Sequence, residues 1–146
     1  MSKSIFVIVS LLFALLAAAV AAKNLKIDEK KTHEAWIEHR DAWIAQDLDR
    51  LAKGCTNDTL LIVNENTWFG TNNGKRVFSQ IFKIVNQGDF VVDQLTVKRD
   101  IIYITWTCTI KGQAYFGTDT FIVDDKYKIK AQTVGSPLYR AYPIRK

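Results

Sequence analysis

Residues 101–123 read IIYITWTCTIKGQAYFGTDTFIV, and much of the architecture follows from them. Apolar and polar side chains alternate through the first half, with the apolar set at Ile102, Ile104, Trp106, Cys108 and Ile110. A period of two is typical of a β-strand with one buried face, and here the opposite face is rich in threonine. Lys111-Gly112 separates this strand from a second one, Ala114 to Val123. The stretch therefore predicts an antiparallel hairpin.

Two further strands flank the hairpin, Phe90 to Lys98 before it and Lys128 to Val134 after it. Both are rich in β-branched and aromatic residues. Short breaks at Arg99-Asp100 and Asp124-Asp125-Lys126 separate them from the hairpin. Four consecutive strands with links this short predict an antiparallel sheet with a core side and a more polar side.

The chain before this sheet is predicted to be mostly helical. Apolar residues recur at helical spacings between Asp28 and Lys53, which predicts an amphipathic helix broken near Gln46-Asp47. Asp47 is the expected cap of a short second helix, and Gly54 its expected end. A strand and a third helix follow, at Thr59 to Val63 and Lys75 to Val85. Helices followed by a sheet make an α+β domain.

The N-terminus has the pattern of a secretory signal peptide. A basic residue precedes an apolar run from Ile5 to Ala22 that ends in alanines. We expect cleavage near Ala21 or Ala22, which leaves a signal peptide, residues 1–22, and one domain, residues 23–146. The alternative is an uncleaved anchor, since about 18 apolar residues can just span a bilayer. The domain is thus expected to be secreted or periplasmic, with no membrane attachment after cleavage.

Charge and cysteine content narrow the range of partners. The formal net charge is +5, but the basic residues are interspersed with acids, so the sequence predicts no nucleic-acid partner. The cysteines and histidines lack zinc-site spacing and no phosphate-binding loop is present, so we expect no metal and no cofactor. Cys55 and Cys108 could form a disulfide in an exported chain or remain two buried thiols. Asn57 begins a glycosylation sequon, which matters only in a eukaryotic host.

Three segments resemble motifs of the nuclear transport factor 2-like (NTF2-like), or SnoaL-like, superfamily. QDLDRL at 46–51 is similar to the turn between the family's first helices, and TNDTLL at 56–61 to the start of its first strand. GTDTFIV at 117–123 is similar to part of its later hairpin. The resemblance covers about Thr32 to Val134. It implies a cone-shaped NTF2-like fold, an α+β architecture with three N-terminal helices packed on a strongly curved antiparallel β-sheet.

The resemblance also implies a pocket inside the cone and points Asp119 into it. A carboxyl group among aromatic rings loses solvation, which raises its pKa and suits it to general acid or base chemistry. The alternative is that Asp119 pairs with Arg40 or a hydroxyl and only fixes the hairpin. Trp68, next to Phe69, is expected near the mouth as a lid. The predicted ligand pocket comprises Trp36, Arg40, Trp43, Trp68, Trp106, Tyr115 and Phe121.

Ketosteroid isomerase is the most specific comparison within the superfamily. Its oxyanion-hole aspartate is matched by Asp119, whereas its general base falls at Val63 and its oxyanion tyrosine at His39. Only Asp119 carries over from this resemblance. His39 lies at the edge of the apolar face of the first helix and could take the role of the missing base. It would then form a proton-transferring pair with Asp119, the His39/Asp119 couple.

Three functions stay open on the sequence alone. The first is an exported domain whose hydrophobic cone pocket binds a flat hydrophobic small molecule, with no activity assigned. The second is a cofactor-free lyase, isomerase or cyclase that uses Asp119 as general acid or base, assisted by His39 or Tyr115. The third is a protein-interaction module that forms a homodimer through its Thr-rich strands. An Asp119 within hydrogen-bond reach of His39 would favour the second, and an Asp119 held by Arg40 would oppose it.

Overall fold

The computed structural model describes residues 27–145. The predicted signal peptide, residues 1–22, lies outside this range, and no helix within the range is long and apolar enough to cross a membrane. The elements in chain order are α1 (Glu29–Ile44), α2 (Leu48–Lys53), β1 (Cys55–Val63), β2 (Asn66–Phe69), α3 (Thr71–Val85), β3 (Gly88–Lys98), β4 (Ile101–Ile110), β5 (Gln113–Val123), β6 (Ile129–Gly135) and α4 (Leu138–Ala141).

The first two helices begin and end where the sequence predicts. The Asp28 carboxylate accepts a hydrogen bond from the Lys30 amide at 2.9 Å and caps α1. Gln46 takes a left-handed conformation, with φ 52°, in the turn between α1 and α2. The Asp47 carboxylate then accepts a hydrogen bond from the Arg50 amide at 2.9 Å, which caps α2. Gly54 ends this second helix.

The six strands form one sheet in the order β2-β1-β6-β5-β4-β3. The hairpins predicted from the sequence pair antiparallel, but β1 and β6 run parallel to each other. Strands that are distant along the chain can pair in parallel because the segment between them provides the crossover. The sequence interpretation also lacked β2 and α4, which have only four residues each and therefore too few positions for a periodic pattern.

Irregular pairing bends the sheet around the helices. The register of β3 on β4 shifts between Val92 and Gln94, and that of β5 on β6 shifts between Ile122 and Val123. An extra residue in one strand of a pair increases the local bend and twist. The core lies on the concave side, where Trp106 and Phe121 are almost completely buried. The Thr-rich side of β4 and β5 faces outward, as the alternation predicted.

Gly117 allows a close approach between β4 and β5. It is the register partner of Trp106, and a Cβ atom added at Gly117 would lie 2.3 Å from Cζ2 of that indole. The ring cannot move away freely, because its Nε1 donates a hydrogen bond to Asp119. The missing side chain at Gly117 therefore creates the space that Trp106 occupies.

We predict that Gly117→Ala lowers the free energy of unfolding by about 3 kcal/mol, since the added methyl group overpacks the core against the indole. Urea unfolding followed by circular dichroism measures the change. Gly74→Ala is the matched control, because a Cβ added there has no heavy atom within 4 Å. Gly74 lies inside α3, so alanine should stabilise the domain by about 0.5–1 kcal/mol. Equal effects of the two substitutions would contradict the prediction.

Candidate functional site

A small cavity lies between α1 and the concave face of the sheet. Its volume is about 30 Å³. The lining residues are Trp36, His39, Arg40 and Trp43 from α1, Phe90 and Val92 from β3, Ile104 from β4, Asp119 and Phe121 from β5, and Gln132 from β6. An adjoining open groove of about 460 Å³ shares four of these residues, Arg40, Trp43, Phe90 and Val92. The site therefore has a narrow inner part and a wider outer part.

Asp119 is held on the inner wall by its cross-strand neighbours. Its register partners are Ile104 on β4 and Val134 on β6. Trp106 lies two residues after Ile104, and Gln132 lies two residues before Val134. Both side chains are therefore on the same face of the sheet as Asp119 and close enough to contact it diagonally across the strands. The Trp106 Nε1 donates to one carboxylate oxygen at 2.8 Å, and the Gln132 Nε2 donates to the other at 2.9 Å.

Burial decides the protonation of Asp119. Its exposed fraction is 9%. Loss of solvation raises its pKa from the ordinary value of 3.8 to about 6. The two hydrogen bonds have the smaller, opposite effect, because they favour the charged form and lower the pKa. Asp119 can therefore gain or lose a proton close to neutral pH.

His39, which the sequence places at the edge of the apolar face of α1, is buried against the same wall. Its ring lies 4.9 Å from that of Phe121, edge to face, and stacks on Trp36 at 6.3 Å. Burial lowers its pKa from 6.5 to about 4, so the imidazole is neutral at pH 7. Its Nδ1 is buried and has no hydrogen-bond partner among the residues that the structure describes. Phe121 of β5 and Phe78 of α3, whose ring lies 6.2 Å from that of His39, cover this edge of the apolar face.

The predicted His39/Asp119 couple is brought into one cavity but not into direct contact. No hydrogen bond joins the two side chains in the described part of the chain. Arg40 does not hold Asp119 either, since its Nε and Nη2 donate to the Asp41 carboxylate at 3.0 and 2.7 Å. Proton transfer by Asp119 and His39 stays a prediction.

The structure places four of the predicted pocket residues on the cavity wall, namely Trp36, Arg40, Trp43 and Phe121. Trp106 lies behind the wall and contributes through its hydrogen bond to Asp119. Trp68 does not line this cavity. It is buried on β2 at the opposite edge of the sheet from β3, so it is not a lid.

Tyr115 is also absent from the cavity wall. Its ring lies 6.1 Å from that of Tyr142, which follows α4, and Tyr139 of α4 lies at the same distance from Trp106. The C-terminal segment thus covers this part of the concave face. This segment carries no periodic signal, so the sequence did not indicate that it packs beside Tyr115. The prediction that Tyr115 lines the pocket therefore did not take this segment into account.

Sequence reasoning missed Gln132, together with Phe90, Val92 and Ile104. Gln132 is 4% exposed although it is polar. The alternation on its strand gave a usable signal, because it places Gln132 on the same face as Val134 and therefore toward the core. A polar residue at an inward position requires a polar partner, and Asp119 is that partner.

Neither a metal centre nor a reactive thiol stands out in the described residues. Within 27–145 no group of three or more His, Cys, Asp or Glu side chains could hold a metal ion. Cys55 and Cys108 are free thiols in the structure. The Cys55 Sγ contacts the Leu51 carbonyl oxygen at 3.4 Å, and burial raises its pKa to about 11. A thiol with so high a pKa is a poor nucleophile.

We predict an unusual pH dependence for Asp119→Asn. Because the pKa of Asp119 is raised in the folded state, folded protein binds more protons than unfolded protein between about pH 4 and pH 6. The contribution of Asp119 to wild-type stability therefore falls as the pH rises through this range, by about 3 kcal/mol for two pKa units. The asparagine variant lacks this loss, so its stability relative to wild type should rise by that amount from about pH 4 to pH 7.

Urea unfolding at both pH values measures this difference, and Asp49→Asn is the control. Asp49 is fully exposed, and its pKa is lowered by its hydrogen bond with Lys75. Its removal should shift relative stability in the opposite direction, against the variant as the pH rises. A parallel pH dependence of Asp119→Asn and wild type would show that Asp119 is not a buried acid.

Several solved structures are similar to this chain. A steroid delta-isomerase from Pseudomonas aeruginosa has a TM-score of 0.65 at 13% identity, with 73% of this chain and 79% of that chain covered. An NTF2-like protein of unknown function from Cytophaga hutchinsonii ATCC 33406 has a TM-score of 0.61 at 10% identity, covering 82% and 98%. A SnoaL-like protein of unknown function from Burkholderia thailandensis E264 has a TM-score of 0.62 at 13% identity, covering 76% and 98%.

Sequence comparison adds nothing to these structural matches. No protein-family model matches the chain, and no curated protein matches it either. Identities this low carry the fold and not the chemistry, because one fold hosts many functions. The helices, the curved sheet and these likenesses together show that the chain has the NTF2-like, or SnoaL-like, fold.

Proposed function

We propose that this chain is a small-molecule-binding domain that acts after export, with its ligand held between α1 and the sheet. One observation carries the proposal. The aromatic cavity contains two buried titratable side chains, Asp119 and His39, and the His39 Nδ1 lacks a hydrogen-bond partner within residues 27–145. A buried polar atom without a partner costs about 1–3 kcal/mol. A ligand with a polar group at this point would recover part of that cost.

The dimensions of the site describe how such a ligand would bind. The inner cavity of about 30 Å³ has room for one small polar group, since a water molecule needs at least about 10–15 Å³ of such space. The outer groove of about 460 Å³ is in the range of ordinary ligand pockets. Its apolar lining includes Ile44, Phe82, Val85 and Val91. A flat apolar body in the groove, with one polar group inserted toward Asp119, matches both parts.

We predict that the neutral compound 2-naphthylmethanol binds the purified domain in isothermal titration calorimetry. Val92 borders both the cavity and the groove, so Val92→Phe should fill the passage and weaken binding at least about tenfold. Thr133→Phe is the matched control on the outer face of β6, and it should leave the affinity within about twofold. Equal losses in both variants would overturn the proposal, and so would absence of binding to wild type by this compound and by its amine and carboxylate analogues.

A second candidate function is self-association through the outer face of the sheet. The outward positions of β4 and β5 carry no charged side chain, and three large apolar residues there are exposed, Ile101, Tyr103 and Phe116. The chain as a whole has a formal charge of +5, so two copies repel each other except across an uncharged surface. An uncharged, partly apolar face is therefore suited to a second copy of this chain.

We predict a dimer at high protein concentration in size-exclusion chromatography with light scattering. Phe116 is 72% exposed on the outer face, and Phe116→Lys should shift the protein to monomer because it places like charges opposite each other. Ile44 is exposed to a similar extent on α1, so Ile44→Lys is a control that should remain dimeric. A wild-type protein that stays monomeric at every concentration would contradict this candidate function.

A further inference from the structure

We propose that the ligand of this site is an amphiphilic amine, with a protonated ammonium group in the inner cavity and an apolar body in the outer groove. This inference rests on the proposed function, because it names the chemical class that the same site selects. It follows from the charge of the inner wall, from the side chains around it and from the volumes of the two parts.

The inner wall carries a carboxylate that no cation within residues 27–145 neutralises. Asp119 accepts hydrogen bonds from Trp106 and Gln132, which are both neutral donors. Neither Lys nor Arg forms a salt bridge with it among the described residues. A buried carboxylate without a counter-ion attracts a cation strongly, because the surrounding medium screens charge less than water does.

The other titratable groups around Asp119 leave this negative charge uncompensated. His39 on α1 is neutral at pH 7 because burial lowers its pKa to about 4. Tyr139 on α4 also stays neutral, since burial and the nearby Asp119 charge raise its pKa well above 10. Arg40 borders the cavity, but its guanidinium group is hydrogen-bonded to Asp41, whose charge cancels its own. An anionic ligand would meet a like charge at the inner wall.

The uncharged part of the wall suits a cation as well. Two indole rings and two phenyl rings line the cavity, from Trp36, Trp43, Phe90 and Phe121. Aromatic rings attract cations through the negative potential above their faces, and tryptophan does so most strongly. Aromatic rings around one carboxylate form a site for ammonium groups, which need both charge compensation and a water-poor environment.

The volumes fix the position of each part of the ligand. The inner cavity of about 30 Å³ is much smaller than the groove and accommodates an ammonium group. The apolar body must then lie in the groove of about 460 Å³, in contact with Val91, Val92 and Phe82. The ligand is therefore a primary amine on a short linker to an aromatic or aliphatic body.

The test compares three ligands that share one body, namely 2-naphthylmethylamine, 2-naphthylmethanol and 2-naphthoate. Isothermal titration calorimetry on the unaltered protein at neutral pH should give an amine affinity at least about tenfold above that of the alcohol, and the weakest binding for 2-naphthoate. Asp119→Asn should reduce the preference for the amine over the alcohol to about twofold or less. Asp93→Asn removes the same charge at an exposed site on β3, where Asp93 accepts a hydrogen bond from Thr107, and should keep the preference.

Each outcome decides a different question. Equal or tighter binding of the alcohol would overturn the amine inference and leave the proposed binding function intact. Tightest binding of 2-naphthoate would overturn the inference, because the site would then favour an anion over a cation. Binding of none of the three compounds would count against the proposed function itself. Because the series is measured on the unaltered protein, the inference can be refuted even if Asp119→Asn fails to fold.

Discussion

A carboxylate can remain buried only where donors surround its oxygens, and Asp119 meets this condition through both neighbouring strands. Trp106 on β4 binds one oxygen and Gln132 on β6 binds the other. A slip of either strand by one residue would turn its donor to the outer face and leave the carboxylate unpartnered. The hydrogen bonds therefore fix the register of three strands. They also hold the indole over Gly117, where only a residue without a side chain leaves enough room.

The same arrangement explains why so little open space remains inside the cone. Aromatic rings of α1 pack directly onto the sheet, with His39 against Phe121 and Trp43 5.5 Å from Phe90. The C-terminal segment covers the far part of the concave face through Tyr139. The remaining cavity is bordered by Asp119 and His39, whose hydrogen-bonding capacity is only partly satisfied within residues 27–145. Polar groups with unused hydrogen-bonding capacity at the end of an apolar passage are the physical basis for placing a ligand there.

Much of this molecule could be predicted from periodicity and turn chemistry. The alternation along β4 placed Trp106 on the core side, and the helical spacing around Trp36 and Trp43 placed both rings on the apolar face of α1. Asp47 was recognisable as a helix cap from residue type and position alone. These features depend on contacts between residues close along the chain, so the local sequence contains the information needed to infer them.

The sequence by itself determined the order of most elements and the inward side of β4, and its resemblance to NTF2-like proteins pointed Asp119 into the cone. Tertiary structure alone decided that β1 pairs with β6, that Gln132 and not Arg40 binds Asp119, and that Trp68 and Tyr115 lie away from the cavity. It also decided that His39 is buried, with a nitrogen that has no hydrogen-bond partner within residues 27–145. The reason is physical. A periodic pattern reports which side of an element faces the core, whereas hydrogen-bond partners and cavity walls depend on how distant elements curve around each other.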